Sequence, residues 1–265
     1  MTVSRFFRTP KGLALIVLAL LTILAGLGEG LSVVAPGIGG AVLPAMLIDA
    51  AILRGIKGKW VFPSGALLTG LIVAMILSPR EPWYVAAVTA AVGVISKYLV
   101  RVRTANVFNP AALALVATFY AFDTAQSWWG AAPEISPIAL VALLASGAFI
   151  AYKVNKIPAV IAFLGGYYAL AAITAFAGDP RRVAELYRAP DLHATLYFAF
   201  FMVTDPPTSP PRHRDQLLFG AIAAAASYAA FELIGAAYFL LAGLLVANAW
   251  EGWRRSRLRM RRRIT

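Results

Sequence analysis

The sequence predicts an all-α polytopic membrane protein of about ten transmembrane helices, built as two inverted five-helix repeats with broken helices. Three observations carry this. Hydrophobic residues make up 60% of the 265 positions and charged residues only 14%, far from the quarter expected of a soluble domain. Basic residues recur between apolar runs in a way that puts nearly all of them on one membrane side. Two apolar segments are too short to cross a bilayer and adjoin proline-rich turns.

Runs long enough for a helix to cross about 30 Å of hydrocarbon, or nearly so, fall near residues 12–29, 33–53, 62–78, 83–99, 110–122, 136–153, 158–177, 192–204, 216–233 and 236–250. The first, "GLALIVLALLTILAGL", has signal-peptide flanks but no small-residue cleavage site after it, so it reads as a retained helix. The domain reading is a single membrane domain over 1–265: repeat one about 1–130, repeat two about 131–253, and a basic tail at 254–265.

With these spans the clusters Arg5/Arg8/Lys11, Arg54/Lys57/Lys59, Lys97/Arg101/Arg103, Lys153/Lys156, Arg212/Arg214 and the final arginine run share one side, which places both termini in the cytoplasm. One loop is discordant: Arg181, Arg182 and Arg188 fall outside, partly offset by Asp179, Glu185 and Asp191. The net charge of +12 owes much to "RRSRLRMRRR", directly after an apolar run, where arginines act as a topology anchor on anionic lipid. Nucleic acid is not an expected partner.

Five helices per half force the second copy to enter the membrane upside down. "GALLTGLIVAMILSPREP" (65–82) lies on "LHATLYFAFFMVTDPPTSP" (192–210) at one constant offset that matches Met75 with Met202 and Ser78-Pro79 with Asp205-Pro206. The second segment has about 13 residues before Asp205, roughly 20 Å of helix, and stops short of the surface. Pro206, Pro207, Pro210 and Pro211 then keep the chain irregular at membrane depth, which only a protein-lined cavity tolerates. In "VRTANVFNPAALALV", Asn109 and Pro110 form an N-cap and first-turn pair opening another span of about 13 residues. These breaks share a membrane side, so Phe108, Asn109, Pro110, Thr204, Asp205, Thr208 and Ser209 are expected to line one polar, cofactor-binding pocket. An ordinary capped helix and an Asp-Pro turn remain the structural alternatives.

No cysteine occurs, which excludes iron–sulfur clusters and cysteine-linked haem in this chain. His193 and His213 flank one span from opposite ends and cannot serve one haem together. Asp49, Glu29, Glu232 and Glu251 lie near span ends, and Trp128 and Trp129 in the outer loop read as part of an aromatic belt. No metal site and no catalytic residue is assigned.

Two stretches carry a family resemblance over nearly the whole chain. "FFMVTDPPTSP" resembles the "FMATDPVTSP" signature, and "ISKYLVRVRTANVFNPAALALVA" the "SKH…HIFNPAALGL" signature, of the RnfD/NqrB family, which comprises membrane components of the Rnf complex and of the sodium-pumping NADH:quinone oxidoreductase. "RFFRTPKGL" and "FPSGALLTGLIVAMILSP" are similar to stretches of shorter RnfD-like proteins. The resemblance implies flavin (FMN or riboflavin), electron transfer coupled to Na⁺ or H⁺ movement, and a bacterial inner-membrane setting. It also implies partner subunits carrying flavin, iron–sulfur or haem groups, and quinone as an acceptor. In the family, FMN is esterified to a threonine in a Ser-Gly-Ala-Thr motif of the outer segment after the fifth helix. Here that segment is "FDTAQSWWGAAPEIS", with Thr124 as its only threonine, so covalent attachment is not expected and a non-covalent flavin is. The competing reading is a flavin-free channel or transporter for a small polar solute.

Overall fold

The computed structural model describes residues 3–102, 105–133, 137–177 and 180–264, with the side chains of 3–4, 181–182 and 259–264 also left aside. Arg103, Asp179 and the side chains of Arg181 and Arg182, all used in the topology argument, therefore lie outside the described residues. In chain order the helices are α1 (Val3–Phe7), α2 (Pro10–Glu29), α3 (Leu31–Lys57), α4 (Ser64–Ile76), α5 (Trp83–Leu99), α6 (Pro110–Phe122), α7 (Ile138–Lys153), α8 (Ile157–Ala177), α9 (Pro180–Ala184), α10 (Asp191–Phe201), α11 (His213–Ala229) and α12 (Phe239–Ile264). A ribbon of β1 (Arg101–Val102) and β2 (Ala105–Asn106) precedes α6.

Two compact units result. Met1–Tyr98 with Leu113–Ser146 forms the first, and Leu99–Ala112 with Gly147–Thr265 the second. The second thus takes in 99–112, a stretch that the sequence assigns to repeat one, and with it Asn109.

In the first unit, Thr9 caps α2 by accepting the Gly12 N–H at 3.1 Å, and Pro10 supplies the preset first turn. α3 carries Pro36 and Pro44 in its interior, a usage that membrane helices tolerate, and ends on Gly58 in the left-handed region. It packs on α4 so closely that a Cβ on Gly70 would meet the Val42 Cα at 2.9 Å. In the second unit α8, α11 and α12 pack together. A Cβ on Gly243 of α12 would stand 2.6 Å from the Ser227 backbone nitrogen of α11, and the Gly166 position is a close contact with Ala224. α11 continues into a π-helical turn, Ala230–Ile234, closed by Gly235 at φ +65°.

α2, α3, α8 and the His213–Ile234 segment are long and apolar enough to span a bilayer, and α4, α5, α6 and α7 are shorter apolar helices. The spanning helices leave large apolar side chains exposed, such as Leu20, Leu47 and Phe176, as lipid-facing helices do. α10 differs: every residue from His193 to Phe201 is buried. A short helix enclosed on all sides lies inside its unit, and α4, with eight of thirteen residues buried, has the same character.

One expectation is corrected here. Trp128 and Trp129 are not belt residues: they are 8% and 1% exposed, because left-handed Trp128 turns the loop inward and Trp129 Nε1 donates to the Ala74 carbonyl at 2.6 Å. α12 runs unbroken for 26 residues, about 39 Å at helical rise, from the last apolar run into the basic end.

Candidate functional site

α10 ends at Phe201, and with only 11 residues it covers about 16 Å. Its last turn is held by Thr204, whose hydroxyl bonds back to the Phe200 carbonyl. The chain then turns through Asp205, whose Oδ2 accepts from the Thr208 hydroxyl at 2.8 Å and whose backbone carbonyl accepts from the Ser209 hydroxyl at 2.7 Å. Thr208 and Ser209 are each 1% exposed, while Asp205 is half-buried.

Four prolines here remove backbone donors, so the carbonyls need partners from elsewhere. Each carbonyl from residue 207 to 211 receives a side-chain donor. Arg255 gives Nη1 to Pro207 at 2.7 Å, and Asn248 gives Nδ2 to Thr208 at 3.2 Å. Ser209 takes both Arg255 Nη2 at 3.1 Å and Lys156 Nζ at 3.3 Å. Pro210 takes Lys156 Nζ at 2.5 Å, and Pro211 takes Gln216 Nε2 at 3.3 Å.

These donors are positioned by local structure. Asn155, left-handed at φ +57°, stops α7 and sets Lys156 at the start of α8. Gln216 lies in the first turn of α11 and also donates to the Asn155 carbonyl at 2.9 Å. Asn248, Glu251, Arg254 and Arg255 sit at successive three- and four-residue steps of α12, hence on one face.

Asn248 joins the two sequence-predicted breaks. Its Oδ1 accepts the Asn109 backbone N–H at 2.8 Å, while its Nδ2 holds Thr208. Asn109 itself is 3% exposed and caps α6 by accepting the Ala112 N–H at 3.1 Å. Pro110 is buried and Phe108 half-buried. All seven predicted residues therefore belong to one unit, with Asn109 and Thr208 tied through one amide. Their own polar side chains largely serve their own turns.

Charge completes the site. Glu251, 1% exposed, is held by Arg254 Nε at 2.7 Å and Arg255 Nε at 2.7 Å, and Arg254 reaches Asp215 at 2.7 Å. Glu251 is thus an ion-paired buried carboxylate, not a snorkelling end residue. Lys156 is 4% exposed. Burial, then the neighbouring Arg255, push its ammonium down to about 8, with Asp205 and Glu251 pulling the other way. Gln216 Oε1 is buried with no hydrogen-bond partner among the described residues.

The sequence reading missed Asn248, Glu251, Arg255, Lys156 and Gln216 as parts of the site. An amide alone in "LLVANAW" is the one signal it held, since a polar residue within an apolar run needs a buried partner.

The break after α4 is built otherwise. Ser78 N–H donates to the Ala125 carbonyl at 2.9 Å, and the Ile76 carbonyl accepts from the Ser127 and Trp128 N–H groups at 3.0 and 3.1 Å. Leu77 and Gln126 pair as an antiparallel bridge. Glu81 contributes a charged group, accepting the Ala125 N–H at 2.7 Å. Thr124 is 1% exposed and its hydroxyl has no hydrogen-bond partner among the described residues. Elsewhere in this unit Asp49, 4% exposed, accepts from the Tyr98 hydroxyl at 2.6 Å and pairs with Lys97 at 3.6 Å.

Long apolar helices with lipid-facing side chains mark a multi-pass membrane protein, and its second unit carries a candidate site where the proline break after α10 ends in a charged cradle. The chain belongs to the NQR2, RnfD, RnfE family, whose model matches residues 8–136 and 128–239. It is 31% identical over 99 residues to the D subunit of the ion-translocating oxidoreductase complex of Aliivibrio salmonicida (strain LFI1238), covering 36% of this chain and 28% of that protein. It is 35% identical over 100 residues to the protein of the same name from Klebsiella pneumoniae (strain 342), covering 36% of this chain and 29% of that one. These alignments span under a third of the length of either relative.

Proposed function

We propose that this chain is a flavin-binding membrane subunit of an ion-translocating electron-transport complex. It passes electrons between partner subunits or to quinone, coupled to Na⁺ or H⁺ movement. It lies in a bacterial inner membrane as two inverted repeats, with both termini cytoplasmic and the arginine end of α12 against anionic lipid. Family membership and the relatives' names support the complex; the partners are redox subunits carrying flavin, iron–sulfur or haem groups.

The observation that carries the site is the run of five carbonyls, 207 to 211, each bonded by a side chain from another element. Such a build fixes irregular backbone beside an enclosed helix, the arrangement that makes ligand sites in membrane proteins. Two groups support the flavin reading: the buried Gln216 Oε1, an acceptor without a partner among the described residues, would take a ring N–H, and the half-buried Phe108 would offer an aromatic face. Asn109, Pro110, Thr204, Asp205, Thr208 and Ser209 would form the surrounding wall. When bound, a flavin supplies the electron-carrying chemistry; this chain's residues bind it, orient it and exclude water.

The attachment is non-covalent. Thr124, the outer loop's threonine, is buried together with its hydroxyl, which supports this reading. The test is a visible spectrum of the purified full chain, followed by denaturation. Flavin bands that leave the protein on denaturation are expected. A colourless preparation that transports a polar solute would establish the channel reading instead, and in-gel flavin fluorescence would overturn the non-covalent one.

A further inference from the structure

We propose that the carbonyl cradle after α10 is a monovalent-cation site filled by the chain's own Lys156 ammonium, a built-in ion held in place by its tether. The proposal does not depend on flavin; it concerns what occupies the break itself.

Carbonyl oxygens freed by an unwound helix are the usual ligands of alkali cations in membrane proteins. Here those of Ser209 and Pro210 converge on Lys156 Nζ at 3.3 and 2.5 Å, with Ser209 also taking Arg255. The second line of argument is charge. The cluster comprises Lys156, Arg254 and Arg255 against Asp205, Asp215 and Glu251, linked by ion pairs from α12; burial and Arg255 weigh against the Lys156 ammonium, and Asp205 and Glu251 pull in its favour. Its positive and negative groups balance. Removing the Lys156 charge leaves one negative charge in excess beside two carbonyls that have lost a donor, a vacancy for a small cation. Tethering explains how so modest a set of ligands stays filled: a four-carbon stem gives the ammonium a high effective concentration that a free ion lacks. One consequence is that the break admits no free cation while Lys156 is seated.

The experiment is chemical rescue on the full-length protein. The chain has no cysteine, so Ser209→Cys, an isosteric change at a buried position, supplies one thiol for maleimide labelling at pH 7. Adding Lys156→Ala should speed labelling roughly tenfold, the equivalent of one charge-assisted hydrogen bond. Ammonium or methylammonium should reverse this in a saturable way, whereas choline at equal ionic strength should not. Sodium tests whether a metal ion fits as well as an ammonium. The parent chain should respond to none of them. If Lys156→Ala does not survive purification, Lys156→Gln, which keeps a donor but loses the charge, should show the same cation response in its melting temperature. Labelling or melting that responds to all cations alike, or equally in parent and variant, overturns the proposal.

Discussion

The two helix breaks solve one physical problem with different materials. After α4, the freed backbone groups of Ile76 and Ser78 are met by the backbone of the 123–128 loop, and Trp129 fastens that loop to Ala74. After α10, they are met by cations and amides drawn from three other elements. A lock made mainly of backbone groups buries no ion pair and is cheap to maintain. A charged cradle requires burying Lys156 and Glu251, each of which costs several kcal/mol unless every charge is matched. That expense at one break and not the other singles out the second as the candidate site.

The largest effect should come from Glu251→Gln, which leaves Arg254 and Arg255 without their shared carboxylate. A loss of about 3–5 kcal/mol is expected, read as a lower melting temperature in detergent. Asn248→Leu comes next, at about 2–4 kcal/mol, because the Asn109 N–H and the Thr208 carbonyl both lose their partner. It should also lower flavin retention, since it separates the two breaks.

Trp129→Phe keeps an aromatic ring and removes the bond to Ala74, for about 1–3 kcal/mol. Flavin should be unchanged. If Trp129→Phe strips flavin as fully as Asn248→Leu, the contrast between the two breaks fails.

A further effect is a pH dependence. Lys156 has a lowered value of about 8 against 10.5 for the unfolded chain, so between these the unfolded state binds more protons. Stability should therefore rise with pH through that window in the parent relative to Lys156→Met, and level off below it. Parallel melting curves for the two across that range would remove the charge of Lys156 from the account.

Much of this was readable in the sequence, because breaks are local. Proline and Asp-Pro or Asn-Pro pairs constrain their own neighbours, so the break after α10 and the cap at Asn109 can be read from a few residues. Their partners cannot. Asn248 lies forty residues past Thr208, and Lys156 and Arg255 look like ordinary members of basic clusters on a topology map. Trp128 and Trp129 mislead for a related reason. An aromatic pair beside an apolar span fits an interface, and only the left-handed turns at Asp123 and Trp128 carry the loop inward.

The most direct test of the central claim is the flavin content of purified protein, measured by visible absorption per chain, in the parent, Asn109→Ala, Asp205→Ala and Ser78→Ala. The account predicts releasable flavin in the parent, reduced in the Asn109 and Asp205 variants beyond any fall in folded yield, and retained in Ser78→Ala. Full occupancy in both the Asn109 and Asp205 variants, or a parent chain without flavin, would contradict it.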